Sequence, residues 1–379
     1  MIYYFDNSAT TCPSQESLAI FQQVAFDYFA NPSSVHSLGE QSRQLLFQSR
    51  QQVASILGAN EHEIYFTASG TEANNWALRA ILPALQVRHP ERHQVIVSAV
   101  EHPSIMMQLP VLTAAGYDVQ ICPVDGDGVL DLEAFRSLLC DKTLLVVTMA
   151  VNNEVGSVQP LAELGNILAD YPQVTWHVDS VQAVATQLAA IKLPRIDVLS
   201  LSAHKFHGVR GTGILMKRER IPSEPFIYGG GQETNLRSGT ENLASIVVAA
   251  RTLRLASEYQ SMQLSVFRQM IVEAFKHSDW QVFGGNQTSD HIICAALVGI
   301  PGEVLVHAFA DEQVMVSTTS ACSSRKHQVH STLKAMGVAD DLSTCAIRIS
   351  MSTETTEAEV NYLCQVIERI SAKLTGKKK

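Results

Sequence analysis

Charge is scarce in this sequence. Charged residues make up 17% of the 379 positions, and the 37 Asp and Glu outnumber the 28 Lys and Arg, for a formal net charge of −9. No basic footprint for nucleic acid is present, and a 46% hydrophobic content is too high for a disordered chain. Long apolar runs are also missing. Segments such as 144–149 and 292–300 fall far short of the roughly 18 residues that a membrane span requires, and positions 1–6 lack the charged and apolar regions of a signal peptide. The expectation is a soluble, cytoplasmic globule with no membrane or nucleic-acid partner. Its length gives a soft prior of two domains.

The seven cysteines, at 12, 122, 140, 294, 322, 345 and 364, form no Cys-x-x-Cys pair. An odd, scattered set implies reduced thiols, with neither a disulfide framework nor a zinc cage. Walker A, Gly-x-Gly-x-x-Gly, His-Glu-x-x-His and Gly-x-Ser-x-Gly sequences are absent too. Asp125-Gly126-Asp127-Gly128 begins like a calcium loop, but its twelfth position is Arg136, so it reads as a turn.

What the chain does have is alternation. Short β-rich apolar runs at 63–67, 94–98, 118–122, 143–149, 174–178, 197–201 and 213–216 are separated by segments of helical period at 39–57, 71–85, 103–114 and 160–171. That is the signature of an α/β protein with a mostly parallel seven-stranded sheet, its strands buried on both faces. After about residue 240 the texture changes. A long helical stretch over 241–277 leads to strands near 281, 291–298 and 346–351 and a closing helix over 356–372, which reads as a smaller α+β domain.

Chemistry concentrates at predicted strand ends. One apolar strand delivers Asp179, with Gln182 a turn later, and the next delivers Ser202-Ala203-His204-Lys205 to the same kind of edge, where open α/β sheets bind ligands. A partly desolvated lysine suits Schiff-base chemistry, and a carboxylate on a neighbouring strand can hold a pyridine nitrogen protonated. Ala68-Ser69-Gly70-Thr71-Glu72 between a strand and a helix offers a phosphate site, or simply an N-cap with an acidic first turn. His102 reads as a ring-stacking proton carrier or as a helix-start residue, and Asn152-Asn153 as amide ligands or a turn. The glycine-rich polar stretch 229–240 is too long for a hairpin and reads as a linker before the long helix. Cys322 lies in a Ser/Thr run beside Arg325 and Lys326, cations that favour thiolate, whereas the other six cysteines read as buried small hydrophobes.

Together with Phe5-Asp6-Asn7-Ser8-Ala9-Thr10-Thr11, Asn31-Pro32-Ser33-Ser34 and Ala346-Ile347-Arg348-Ile349-Ser350, these motifs resemble the cysteine desulfurases, pyridoxal-phosphate enzymes of the class V aminotransferase group. The resemblance spans nearly the whole chain. It implies the fold-type I architecture of the pyridoxal-phosphate-dependent transferases, with a large domain at 15–255 and a small one from 1–14 plus 256–379, and a homodimer. It assigns Lys205 as the lysine that carries pyridoxal 5'-phosphate, Asp179 to the ring nitrogen, Gln182 to the ring hydroxyl and His102 to ring stacking. Thr71, Ser202 and His204 become phosphate ligands, with Thr240 reaching the phosphate of the partner subunit. Arg348 and Asn153 hold the carboxylate of L-cysteine, and Asn153 is counted with the cofactor ligands as well. Cys322 becomes the nucleophile that takes the sulfur as a persulfide. No metal is implied. The implied acceptor is a protein of iron–sulfur assembly or tRNA thiolation.

The sequence departs from the family pattern in places. Thr318-Thr319 stand where the residues before the nucleophile usually include a glycine, and Ala203 replaces a usual glycine. The run from Arg325 to His330 replaces an acidic, proline-containing stretch. The expectation is altered motion around Cys322 or a different sulfur acceptor. A selenocysteine lyase, or a C–S lyase or aminotransferase on the same scaffold, is the enzymatic alternative, and a non-catalytic cofactor or sulfur-carrier scaffold the other.

Overall fold

A computed structural model describes residues 2–259, 262–319 and 332–376. After a two-residue strand β1 (Tyr3–Tyr4), the central sheet comprises β2 (Ile64–Thr67), β3 (Gln94–Ser98), β4 (Asp118–Cys122), β5 (Thr143–Met149), β6 (Thr175–Asp179), β7 (Val198–Ser202) and β8 (Gly213–Lys217). Their order is β2-β8-β7-β6-β5-β3-β4, and only β8 runs against its neighbours. Alternate strand residues feed two separate cores. Ile96, Val146 and Leu199 pack with helix α1 (Gln15–Asp27), α2 (Ser37–Leu57) and the helix Leu243–Glu258, whereas Val95, Val147 and Leu215 pack on the opposite face beneath the helical run that starts with α3 (Gly70–Trp76). Coverage on both faces explains the unbroken apolar runs.

Four expectations need correction. β4 is an edge strand, and only Cys122 in it is buried, because among the described residues no eighth strand covers its outer side. The helix expected over 71–85 passes through a π-helical segment, Ala77–Ile81, just before Pro83, whose missing N–H cannot continue the regular ladder. Pro110 likewise splits the segment 103–114 into Pro103–Met106 and Leu109–Ala114. The long helix over 241–277 is two helices, Leu243–Glu258 and Met262–His277, with Tyr259 in an extended conformation. The first packs on α1 and α2 and the second on Glu357–Thr375, so the break is where one apolar stripe changes partners.

The C-terminal region contains β9 (Gln281–Phe283), β10 (Ile292–Ala296), β11 (Val314–Met315), β12 (Ser317–Thr318) and β13 (Ala346–Ser350). The order β12-β13-β10-β9 makes a fully antiparallel sheet, and β1 pairs parallel with β11. This sheet and its helices enclose a separate core that includes Phe5, Phe309 and Ile370. The N-terminal segment is therefore a strap: Phe5 is buried in that core and accepts a bond from Ser350 N (2.7 Å), while Thr11 N donates to His204 O (2.8 Å) beside the central sheet. Among the described residues, no helix is long and apolar enough to cross a membrane.

Candidate active site

Five strands, β2, β3, β5, β6 and β7, run in the same direction, so their carboxyl ends share one edge. Beyond those ends the chain places Thr71, His102, Asn153, Asp179 and Lys205 around a cavity of about 380 Å³. Gln182, Ser202, His204 and Arg348 line it as well. Most of the residues singled out in the sequence thus meet in one place. Thr240 does not: it lines a different cavity with Phe29 and Asn31. Cys322 lies outside the described residues.

Asp179, the last residue of β6, is buried, and its carboxylate is held at both oxygens. Val181 N donates to Oδ1 (3.0 Å) and Asn74 Nδ2 to Oδ2 (2.7 Å). His102 caps the short helix Pro103–Met106, accepting at Nδ1 from Ser104 N (3.1 Å). Burial lowers its pKa, and the Lys205 charge lowers it further against the opposing pull of Asp179. The helix-start and site readings of this histidine are therefore compatible.

Lys205 follows β7 through a single 3₁₀ turn, Ala203–Lys205. Its Nζ donates to Ala9 O (2.9 Å) and to Ser8 O, and Gln182 Nε2 donates to the same Ser8 carbonyl (2.9 Å). The strap thus reaches the heart of the site. His204 contacts Thr10 Oγ1 through Nδ1 (3.2 Å), and burial, with the nearby Lys205 and Arg210 charges, pushes its pKa down to about 4. It is a neutral imidazole at physiological pH. Arg348 enters from β13, donating Nη1 to Asn153 O (2.9 Å) and Nη2 to Asp6 Oδ1 (2.8 Å), while its buried Nε has no partner among the described residues.

The turn readings also hold, residue by residue. Asn152 accepts from Glu154 N (2.8 Å) and Val155 N (2.9 Å) as a turn former, which leaves Asn153 to line the cavity. Ser69 is the N-cap of α3, bonded to Glu72 N (3.1 Å). Close packing underlies this corner: a Cβ on Gly70 would meet Val181 Cγ2 at 2.6 Å, and one on Gly213 would meet Ser69 C at 2.4 Å.

Sequence reasoning overlooked Asn74, Ser104 and Glu101. Glu101 is fully buried, accepts from Met149 N (2.5 Å), and is pushed well above the usual carboxyl range, first by burial and then by Asp179. Its place directly before His102 was the available signal. Asn74 carried one too, since an amide three residues after Thr71 falls on the same face of a helix. The cysteines need a correction: Cys122, Cys294 and Cys345 are buried and Cys364 is half-buried, but Cys12 and Cys140 are exposed, in the connecting segments before α1 and β5.

The donor set suits a phosphorylated pyridine aldehyde. It provides an amine for the carbonyl, a fixed carboxylate for a ring nitrogen, an imidazole in the same cavity, and hydroxyls with a neutral imidazole near a helix start, where backbone N–H groups favour an anion.

Comparison with known proteins gives a consistent picture. The family model described as aminotransferase class-V matches residues 3–363. A NifS/IcsS protein homolog of Lactobacillus delbrueckii subsp. bulgaricus is 40% identical over 374 residues, covering 97% of this chain and 96% of its own. Cysteine desulfurase IscS of Methanosarcina thermophila is 33% identical over 376 residues, covering 98% and 92%. A solved NifS-like protein superposes with a TM-score of 0.90 at 32% identity, covering 98% of this chain and all of the other.

Proposed function

The chain belongs to the class-V aminotransferase family and, within it, to the NifS/IscS cysteine desulfurases, and on that premise we propose that the cavity at the sheet edge holds pyridoxal 5'-phosphate and takes L-cysteine. The observation that carries this reading is that Asp179 and Lys205, from the ends of adjacent parallel strands, line one cavity with His102. Lys205 is the attachment point, Asp179 faces the ring nitrogen, Gln182 the ring hydroxyl, and His102 the ring face. Thr71, Ser202 and His204 hold the phosphate, and Thr240 serves the corresponding site of a second copy in a homodimer. Residues 15–255 form the cofactor-binding domain, and 1–14 with 256–379 the smaller one, a division supported by their separate sheets and cores.

When bound, pyridoxal phosphate supplies an electron sink for negative charge at the substrate Cα. The chain's own residues do the rest. The Arg348 fork and the Asn153 amide bind and orient the substrate carboxylate. The Lys205 amine, at hydrogen-bond distance from the Ala9 carbonyl, takes the Cα proton. Cys322, assigned from sequence, attacks the substrate sulfur as thiolate: an S–S bond forms, the C–S bond breaks with its electron pair staying on carbon, and a proton fills that valence. Cysteine and the Cys322 thiol become L-alanine and a persulfide, with atoms and electrons balanced. We take the acceptor to be a cytoplasmic protein of iron–sulfur assembly or tRNA thiolation.

The test is borohydride reduction after incubation with pyridoxal phosphate, followed by peptide mass analysis. A phosphopyridoxyl group on Lys205 is expected, and an unmodified chain would overturn the cofactor reading. Assaying alanine and persulfide for Cys322→Ala then separates a desulfurase, which loses the persulfide, from a lyase that releases sulfide unaided.

A further inference from the structure

We propose that Asn74 and Ser104 are positioning residues that lock His102 as the tautomer protonated at Nε2, so that it presents a hydrogen to the cavity and cannot take a proton there. The argument starts from donors that have no choice. Ser104 N lies 3.1 Å from His102 Nδ1, and a backbone N–H can only donate. Nδ1 is therefore an acceptor, and the neutral ring carries its hydrogen on Nε2.

Asn74 reinforces this through the Ser104 hydroxyl. Its Nδ2 donates to Asp179 Oδ2 (2.7 Å) and to Ser104 Oγ (2.9 Å), which uses both amide hydrogens. One of the two lone pairs of the Ser104 hydroxyl thereby has a donor, and because Nδ1 is an acceptor from Ser104 N, the contact of 2.8 Å between Oγ and Nδ1 is made with the hydroxyl hydrogen. Asn74 is 1% exposed, and its Oδ1 has no partner among the described residues. A buried amide that leaves its acceptor unsatisfied while both hydrogens point at site residues is oriented for those two bonds rather than for packing. The groups whose charge reaches His102 are Asp179, on β6, and Lys205, after β7. Together the bonds form one relay from Asp179 through Asn74 and Ser104 to the imidazole.

The inference rests on the cofactor reading for its consequence in catalysis, but its test does not. Long-range ¹H–¹⁵N NMR of the full chain with labelled histidine, with and without pyridoxal phosphate, reads the tautomer directly. Because the chain has 13 histidines, His102→Gln assigns the resonance by subtraction. The wild type should show an unprotonated Nδ1 at neutral pH, since burial lowers the pKa of this ring. Asn74→Asp turns the donor into an acceptor, draws the Ser104 hydroxyl away, and should raise the His102 midpoint by about one unit or more and populate Nδ1–H. Ser104→Ala, milder for folding, should weaken the preference, and Ser104→Thr should restore it. In the alanine assay, kcat should fall roughly tenfold for Ser104→Ala with KM nearly unchanged. A hydrogen on Nδ1 in the wild type, or a tautomer and midpoint unmoved in folded Asn74→Asp and Ser104→Ala, would overturn the proposal whether or not the chain takes up the cofactor.

Discussion

Arg348 donates Nη2 to Asp6 Oδ1 at 2.8 Å, an ion pair between residues 342 positions apart that ties the N-terminal strap to β13. With Nη1 on Asn153 O, the guanidinium plane is fixed before any substrate arrives, and the remaining Nε is buried without a partner among the described residues. A planar fork can meet both oxygens of a carboxylate, whereas an ammonium offers only a point charge. Arg348→Lys is therefore expected to lower kcat/KM for cysteine roughly ten- to hundredfold, the equivalent of about 1.5–3 kcal/mol for a lost charge-assisted bond. Asp6→Asn, which leaves the fork less firmly held, should have a smaller effect in the same direction. Initial rates of alanine formation measure both, and an Arg348→Lys enzyme matching wild type would remove the arginine from substrate binding.

The edge where Asp179 and Lys205 meet was readable from the chain because each follows a short apolar strand, and parallel neighbours put such ends together. The π-helical turn before Pro83 and the break before Pro110 carried a visible signal in the proline itself. Tyr259 carried none: what ends its helix is the change of packing partner from α1 and α2 to Glu357–Thr375, a tertiary fact. Ser104, and the partners that Asn74 bonds, were illegible for a related reason. Asn74 and Ser104 lie 30 positions apart, and the amide reaches Asp179 across 105, so their roles exist only once α3 and the helix after His102 are packed over the sheet edge.

Packing at that edge leaves no room for a methyl group on Gly70. Its φ is ordinary, so the obstacle is steric: the added Cβ would lie 2.6 Å from Val181 Cγ2 and 3.4 Å from Ser202 Cβ. Gly70→Ala is expected to push the start of α3 away from the sheet, costing about 1–3 kcal/mol of strain, and to speed the loss of pyridoxal phosphate during dialysis. Val181→Ala removes the closest atom. The double variant should recover most of the retention, a coupling typical of residues in contact, and a double variant as leaky as Gly70→Ala would show that the clash is not the cause.

Stability has a different keystone. Asp197 is fully buried before β7, accepting from Trp176 N (2.9 Å) and Arg195 Nη1 (2.7 Å), with Arg220 as a further, more exposed partner. Asp197→Ala strands the Arg195 charge, whose other bonds go to carbonyls that cannot neutralise it. Breaking a buried pair from one side costs about 3–5 kcal/mol. The urea midpoint should fall accordingly, while alanine formation per folded molecule stays near wild type, since Asp197 does not line the cavity. A loss of unfolding free energy below about 1 kcal/mol would mean that water reaches and compensates Arg195.

One part of the pH dependence can be traced to Glu154. Glu154 accepts from Thr332 N (3.1 Å), and burial raises its pKa from 4.5 to about 7, against the lowering effects of that bond and of Arg348. A folded pKa above the unfolded one means that the native state binds the proton more tightly. The resulting stabilisation is full below pH 4.5 and is lost as pH rises through about 7. Glu154→Gln has no proton to lose and, with its amide oxygen, keeps an acceptor for Thr332 N. The variant's unfolding free energy relative to wild type should therefore climb between pH 4.5 and 7 and level off above that range. Buried histidines such as His177, pushed down to about 4, destabilise both proteins alike as pH falls from 6.5, so they cancel in the difference. Parallel stability curves in urea titrations across this range would show that Glu154 is already ionised in the folded protein at the acid end.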